Sequence, residues 1–349
     1  MWPYIVRRLL WLPFLLVAAS LVTFTLGRFG PGDPVRVMMG NRYDEQVAAR
    51  IREELGLDRP FHVQYGDYMW GVVAPHIWKW PVSVGDLDFA IPIPFMRLDF
   101  GESFRFRNQP VRDIILPKMW VSAQLSLVAM MISLGVGLPL GFFIAHKQGQ
   151  WQDPSAVTTA LVLMSIPVMV SVPTLLWLLC LKLHVAFAFD FLFIHLDVDY
   201  GGLPCSGWGG VFDPRIIVPA ITMGVPGIAG LTRLMRASTL DVLGQDFIRT
   251  AHSKGLTSVS IDVRHVFRNA MIPIITILAF SLAGLIGGAF ITETILGIPG
   301  IGRFVVDSIF NRDYPVIMAV TLIGASAFVL ANLLADVTYA FIDPRIRYR

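Results

Sequence analysis

Apolar residues in this chain gather into long blocks instead of periodic stripes. Six blocks run approximately over 9–26, 121–145, 156–181, 216–234, 273–296 and 316–342. Each is close to the roughly twenty residues an α-helix needs to cross a hydrocarbon core. Lipid offers no partner for an unpaired backbone N–H or C=O, so helices are the expected form. Alternation at period two, the mark of a transmembrane barrel, is absent. The pattern predicts an all-α membrane protein of six transmembrane helices, with a large external loop after the first.

Orientation follows from lysine and arginine in the short loops. With the N-terminus inside, the cytoplasmic segments carry Arg7, Arg8, Lys147, Arg233, Arg236, Arg249, Lys254, Arg264, Arg268, Arg345, Arg347 and Arg349. The short external loops carry Arg215, Arg303 and Arg312, with Lys182 at a helix end. The long segment 28–118 is also rich in arginine, but long loops translocate largely regardless of charge. Both termini are therefore expected in the cytoplasm. The expected divisions are a first helix 1–27, an external loop domain 28–118, a five-helix core 119–342 containing a cytoplasmic loop 235–272, and a cytoplasmic tail 343–349. Arg7 and Arg8 ahead of an apolar run also resemble a secretory leader. The run continues past the weakly cleavage-like Ala18-Ala19-Ser20, however, which predicts a retained helix.

Within the external segment, Asp44 is a candidate N-cap for a helix with Val47, Ile51 and Leu55 on one face, closed by Gly56 and followed by Pro60. Trp70, Trp78 and Trp80, with the prolines from Pro75 to Pro94, predict irregular structure at the membrane surface, acting as a packed cap or a solute contact. Within the spans, Pro139, Pro167, Pro173, Pro219 and Pro226 and the glycines at 135, 137, 141, 284, 287 and 288 predict kinks and close helix approach. Ser122, Ser126 and Ser133 share one side of the second span, which fits a pore stripe and helix packing equally.

Composition narrows the class. Of 349 residues 55% are hydrophobic and 15% charged, with a mean hydropathy of +0.63. Soluble domains carry roughly 25% charge, so lipid is the expected solvent. A net charge of +3 is too small to suggest nucleic acid. Cys180 lies in an apolar block and Cys205 in a loop, so no bridge between them is expected, and the seven histidines lack ligand spacing. No nucleotide-binding GxxxxGK[ST], no HExxH and no GxSxG occurs. Mid-span ionisable residues mark ion-coupled carriers; here Glu293 and Asp336 lie toward helix ends. That speaks against an ion-driven secondary carrier and for a pathway powered from elsewhere. A membrane-bound scaffold without transport is the remaining alternative.

The most informative stretch lies between the fourth and fifth blocks. A helix over about 245–253 places Phe247, Ile248 and Ala251 on neighbouring faces, with Gly255 able to end it. Exposed Phe247 and Ile248 are expected to anchor a partner, and small Ala251 and Gly255 to permit its close approach. An ordinary amphipathic loop helix is the alternative. The segment resembles the EAA loop of ABC importer permeases, in the form of the dipeptide/oligopeptide permease family. Asp246, Phe247, Arg249, Thr250, Ala251, Lys254 and Gly255 match its D-[YF]-[IV]-R-T-A-x-x-K-G run, with Ile248 in the [IV] place. Arg264, His265, Arg268, Asn269, Ala270 and Pro273 match the following run. Arg249-Thr250-Ala251 stands where the generic loop has Glu-Ala-Ala, and the gap from Gly255 to Pro273 exceeds the generic one; both departures are typical of the peptide branch.

The resemblance extends along nearly the whole chain. It includes Tyr4 to Leu10, Pro31-Gly32-Asp33-Pro34, Leu55 to Pro60 with Gln64-Tyr65, Asp99-Phe100-Gly101-Glu102-Ser103, Thr292-Glu293 with Pro299-Gly300-Ile301-Gly302, and the closing Asp343-Pro344-Arg345. The Trp- and Pro-rich insertion near 72–94 departs from it. The resemblance implies a type I ABC importer permease fold in the inner membrane and a coupling helix over 246–255. It implies as partners a second homologous permease, two ATP-binding subunits, an extracytoplasmic solute-binding protein and membrane lipid. It implies no cofactor on this chain, with ATP and magnesium held by the ATPase partners. The expected cargo is di- or oligopeptides, with nickel or glutathione as alternatives. Phe310 and Tyr314, in the loop 297–315, are the candidate external gate, with helix-connecting packing as the alternative.

Overall fold

A computed structural model describes residues 2–29, 34–39, 43–84, 87–96, 98–106, 109–182 and 204–342. The expected tail motif at 343–345 and most of Pro31–Pro34 lie outside them. The chain forms two compact units, one of Trp11–Lys118 with Phe304–Ser326, the other of Met119–Arg303 with Met1–Leu10 and Ala327–Arg349.

The first unit opens on most of α1 (Trp2–Phe29), followed by α2 (Pro34–Met39), α3 (Glu45–Glu54) and α4 (Phe61–Val73). Asp44 caps α3 as its sequence predicts, its carboxylate accepting from the backbone N–H of Gln46 and Val47. Beyond α4 the chain forms a two-stranded antiparallel hairpin, β1 (Pro75–Val84) with β2 (Leu87–Met96), registered from Pro75 opposite Met96 to Val84 opposite Leu87. Irregular structure was expected there. Proline is tolerated where its missing N–H faces away from the ladder, as it can in a ribbon with two edges. The unit closes on a buried carboxylate. Asp313 accepts from the Ser103 hydroxyl and from the backbone N–H of Phe104 (3.1 Å) and Arg105 (3.4 Å), while the Ser103 Oγ accepts from Phe106 N–H. The Asp-Phe-Gly-Glu-Ser element is thus a loop wrapped on an acid 210 residues away.

The second unit carries the longer helices: α5 (Val111–Ala145), which begins in the first unit, then α6 (Gln152–Ser165), α7 (Val168–Leu175), α8 (Ile217–Leu243), α9 (Asp246–Ser253), α10 (Ser258–Ile261) and α11 (Arg268–Gly287). After them come α12 (Phe290–Ile295), α13 (Ile301–Phe310) and α14 (Tyr314–Ile342), the last two shared between the units. Among the described residues four helices are long and apolar enough to cross a membrane, or five where the bent pair α6 and α7 is counted as one span. In α1 the apolar stretch is the shorter Pro13–Phe29. The break bends α6 against α7 by 94°. It falls where the prolines predict it: Ile166 is forced to an extended ψ of 115° by Pro167, which caps α7.

The expected fifth block 273–296 is corrected. Its helix starts earlier, through a π-turn over Asp262–Phe267, and α11 ends at Gly287, leaving Phe290–Ile295 as a separate short helix. Another correction concerns the cysteines. Cys180 and Cys205 form a disulfide, with Cα atoms 6.2 Å apart. Cys180 lies on the π-turn Leu176–Lys182 that follows α7, and Cys205 is buried in a cluster with Val172, Leu296 and Ile298. Sequence distance hides that juxtaposition.

Hydroxyls in the spans bind helix carbonyls. Ser133 donates to Ala129 O (2.8 Å) within α5 and is also 3.0 Å from Gly224 O on α8, and Thr232 of α8 reaches Gly137 O of α5. Of the three serines on one side of α5, Ser133 therefore joins helices.

Candidate coupling segment and buried carboxylate node

Helix α9 has a build legible in its residues. Gln245 enters in an extended conformation, Thr250 donates back to Asp246 O, and Ser253 donates to Arg249 O. Its C-terminus is a Schellman closure: Gly255 N–H reaches His252 O at 2.9 Å and Leu256 N–H reaches Ala251 O. Gly255 has φ +76°, a left-handed conformation that costs glycine little. The expected bounds, 245–253 with Gly255 as stop, agree with Asp246–Ser253.

The faces differ from expectation in one respect. Ile248 is 3% exposed and Ala251 7%, and both belong to the core cluster built by Leu231, Met235 and Val242 of α8 with Ile261, Val266, Ala270 and Ile274 of the α10–α11 segment. Ile248 is therefore no external anchor. The two residues lie three apart, hence on one helical face, and that face points inward. Phe247 falls off it and is 39% exposed. With it on the outside are Asp246, Arg249, Thr250, Lys254 and Gly255, and Arg249 makes a 3.6 Å ion pair with Asp246. Such an exposed pair contributes little to stability, so the outer face remains available to a partner.

The helix ends nearby are tied by charge. Asp153 at the start of α6 is buried and receives both Nε and Nη2 of Arg236 on α8, the latter at 2.8 Å. This fork-to-fork pairing fixes direction as well as distance. His146, at the end of α5, is 3.1 Å from Asp262 ahead of α11. Arg236 is consequently a structural ion, beyond its expected part in setting orientation.

Toward the other end of α5 lies a node built on Glu293 of the Thr292-Glu293 motif. Glu293 is fully buried. Its Oε1 accepts from the Ser122 hydroxyl (2.7 Å) and Ala289 N–H (3.0 Å), its Oε2 accepts from Arg303 N–H (3.0 Å), and the Ser122 Oγ accepts from Ile301 N–H (2.8 Å). The carboxylate thus caps the start of α13 from a neighbouring helix, where N–H groups have no partner inside their own helix. A Cβ on Gly300 would sit 2.3 Å from Glu293 Oε2. That contact explains why glycine stands in the Pro299-Gly300-Ile301-Gly302 turn. The adjoining backbone is pinned by Gly207 N–H to Leu296 O at 2.8 Å. The sequence puts Glu293 toward a helix end, and the signal of its role is the glycine spacing that follows.

The two gate candidates differ in setting. Phe310, at the end of α13, is 82% exposed, whereas Tyr314 starts α14 half-buried against Gly27 of α1.

Long apolar helices, a proline-broken span, hydroxyls bonded to neighbouring helices and a short two-faced helix docked on their ends describe a multi-pass helical permease subunit. The chain belongs to the family of binding-protein-dependent transport system inner membrane components, which it matches over residues 137–348, with the family's N-terminal part matched over 1–126. It is 33% identical over 359 residues to the dipeptide transport system permease protein DppB of Escherichia coli, with 99% of each chain covered. It is 34% identical over 354 residues to the glutathione transport system permease protein GsiC of Salmonella choleraesuis, again with 99% of each covered. A solved structure of the MetNI methionine ABC transporter in inward-facing conformations aligns with a TM-score of 0.47 at 12% identity, over 66% of this chain and 96% of that one. The protein is thus a non-catalytic transmembrane subunit of an ABC importer, with ATP hydrolysed by partner subunits.

Proposed function

We propose that this chain is one permease half of an ATP-driven importer of di- and oligopeptides, working by alternating access. The observation that carries the reading is the two-faced α9. One face is embedded among α8, α10 and α11, while the other presents Asp246, Phe247, Arg249 and Thr250 outward. A partner pressing on the outer face would load the ends of two membrane helices through a close-packed cluster, and close-packed interiors transmit displacement. Ile248 and Ala251 are the inner, transmitting residues in this reading; Asp246, Phe247, Arg249, Thr250, Lys254 and Gly255 form the docking side. The partners are a second homologous permease, two ATP-binding subunits that carry ATP and magnesium, and an extracytoplasmic solute-binding protein.

The proposed topology is six spans with both termini in the cytoplasm, and contacts within the second unit support the alternating order of its spans. Under that topology the Asp153–Arg236 and His146–Asp262 pairs join cytoplasmic ends. The Ser122–Glu293 node, the Gly207–Leu296 bond and the Cys180–Cys205 disulfide all join external ones. A disulfide persists in an oxidising compartment, which fits the external side. Phe310 and Tyr314 belong to the same external side and are proposed as the gate.

The test is ATP hydrolysis by the reconstituted complex with its co-encoded partners, with and without binding protein loaded with mixed short peptides. Stimulation by peptides is expected. Stimulation by glutathione or nickel alone would overturn the cargo and keep the class. Failure of any ATPase to assemble with this chain would overturn the reading.

A further inference from the structure

The hairpin β1–β2 fills the stretch where the chain departs from the family's sequence pattern, and its register sorts the residues by face. Residues directly opposite one another across an antiparallel pair share a face, and neighbours along a strand alternate. One face therefore carries Trp78, Trp80 and Val82 with their partners Ile93, Ile91 and Phe89. The only ionisable residue on that face is His76, at the root. Lys79, Ser83 and Asp88 fall on the other face, together with all the prolines of the two strands, Pro75, Pro81, Pro92 and Pro94.

Both halves of this pattern point the same way. Alternate positions of an antiparallel pair send their N–H groups off the ladder, and proline, which has none to give, is tolerated there. The four prolines share one parity, so each edge lacks donors at intervals and does not template a further strand. Contact is therefore made through a face and not through an edge. A two-stranded ribbon is marginal in water by itself, so its apolar face needs a cover that stays in place.

The hairpin leaves from α4, and α4 lies along α1. The Tyr65 hydroxyl is 2.8 Å from Ser20 Oγ and 3.1 Å from Val17 O, within the apolar stretch Pro13–Phe29 of α1. Trp70 and Val73, in the last turn of α4 before the hairpin, are exposed. An apolar surface thus continues from a membrane helix through α4 to the root of the hairpin. Tryptophan concentrates where hydrocarbon meets water.

We propose that the hairpin is a membrane-surface anchor, the face of Trp78 and Trp80 lying in the interfacial layer of the lipid bilayer and the face of Lys79, Ser83 and Asp88 turned to water. The ligand is phospholipid, met through its acyl chains and glycerol region. No lysine or arginine stands on the apolar face to select a charged headgroup.

The experiment is electron paramagnetic resonance on the full importer in nanodiscs of phosphatidylethanolamine and phosphatidylglycerol, with partner subunits made cysteine-free. Cys180 and Cys205 are the chain's two cysteines and are bridged, so a nitroxide reagent finds only an introduced thiol on this chain. Labels are placed one at a time at Trp80→Cys and Val82→Cys on the apolar face, and at Lys79→Cys and Ser83→Cys on the other. Oxygen dissolves in lipid, whereas chromium oxalate stays in water. The ratio of oxygen to chromium oxalate collisions should be severalfold higher at 80 and 82 than at 79 and 83. Lys79→Cys and Ser83→Cys leave the apolar face whole, and a gadolinium-chelate lipid in the nanodisc should relax both of those labels strongly. Access by neither reagent at 80 and 82 would put a protein surface over the face and overturn lipid as its cover. Chromium oxalate reaching both faces alike, or no relaxation by the gadolinium lipid, would overturn the anchor.

Discussion

Ser122→Ala tests the buried carboxylate node directly. The substitution deletes a single oxygen from a position with no solvent exposure, and that oxygen serves two bonds. It donates to Glu293 at 2.7 Å and accepts from Ile301 N–H at 2.8 Å. A hydrogen bond to a charged group contributes about 1.5–3 kcal/mol, and an orphaned buried donor costs about 1–3 kcal/mol. The combined loss is therefore on the order of 3–5 kcal/mol if no water enters. For a domain of this size, roughly 2 °C per kcal/mol converts this to a fall of about 5–10 °C in melting temperature. The assay is thermal unfolding of the reconstituted complex followed by intrinsic fluorescence, with Ser126→Ala as control. Ser126 lies one turn along the same face of α5 and outside the node. A Ser122→Ala protein melting with the wild type, or a control that falls equally, would refute the account of Glu293 as the clamp on the start of α13.

Four further outcomes are expected. Ala251→Asp places a charge in the apolar cluster under α9, which should detach the helix and abolish coupled uptake; wild-type uptake would sink the role given to this segment. Gly255→Glu should act similarly by straining a φ of +76°. Phe310→Ala, at an 82% exposed position, should leave stability within about 0.5 kcal/mol but slow transport, and unchanged transport with unchanged binding-protein affinity would remove it from the gate. Cys180→Ser opens a cross-link spanning 25 residues, a loss of about 2–4 kcal/mol. A thiol reagent applied to denatured, unreduced wild type should find no free cysteine, and labelling of both would contradict the bridge.

Much of α9 was legible because helix signals are local. Gly255 marks its end, and the match to a permease coupling loop rests on residues that are contiguous in sequence. Its inward and outward faces were only half legible. Periodicity shows that Ile248 and Ala251 share a side, but which side meets the core depends on where α8 and α11 run. Ser122 and Glu293 stand 171 residues apart, and Ser103 and Asp313 stand 210 apart. No periodic pattern links residues at such distances; only the glycines and the serine motif hinted that backbone approaches something there.

By itself the sequence determined the solvent, the helical form and the approximate spans, because a lipid core admits few backbone solutions and demands about twenty apolar residues each time. It also set the break at Pro167, the cap at Asp44 and the stop at Gly255, where one residue's stereochemistry suffices. Tertiary structure alone decided that Cys180 meets Cys205, that the proline-rich insertion pairs as a hairpin and that Ile248 turns inward. These depend on side chains meeting across long loops, and the chain's local preferences carry no term for that meeting until the helices have packed.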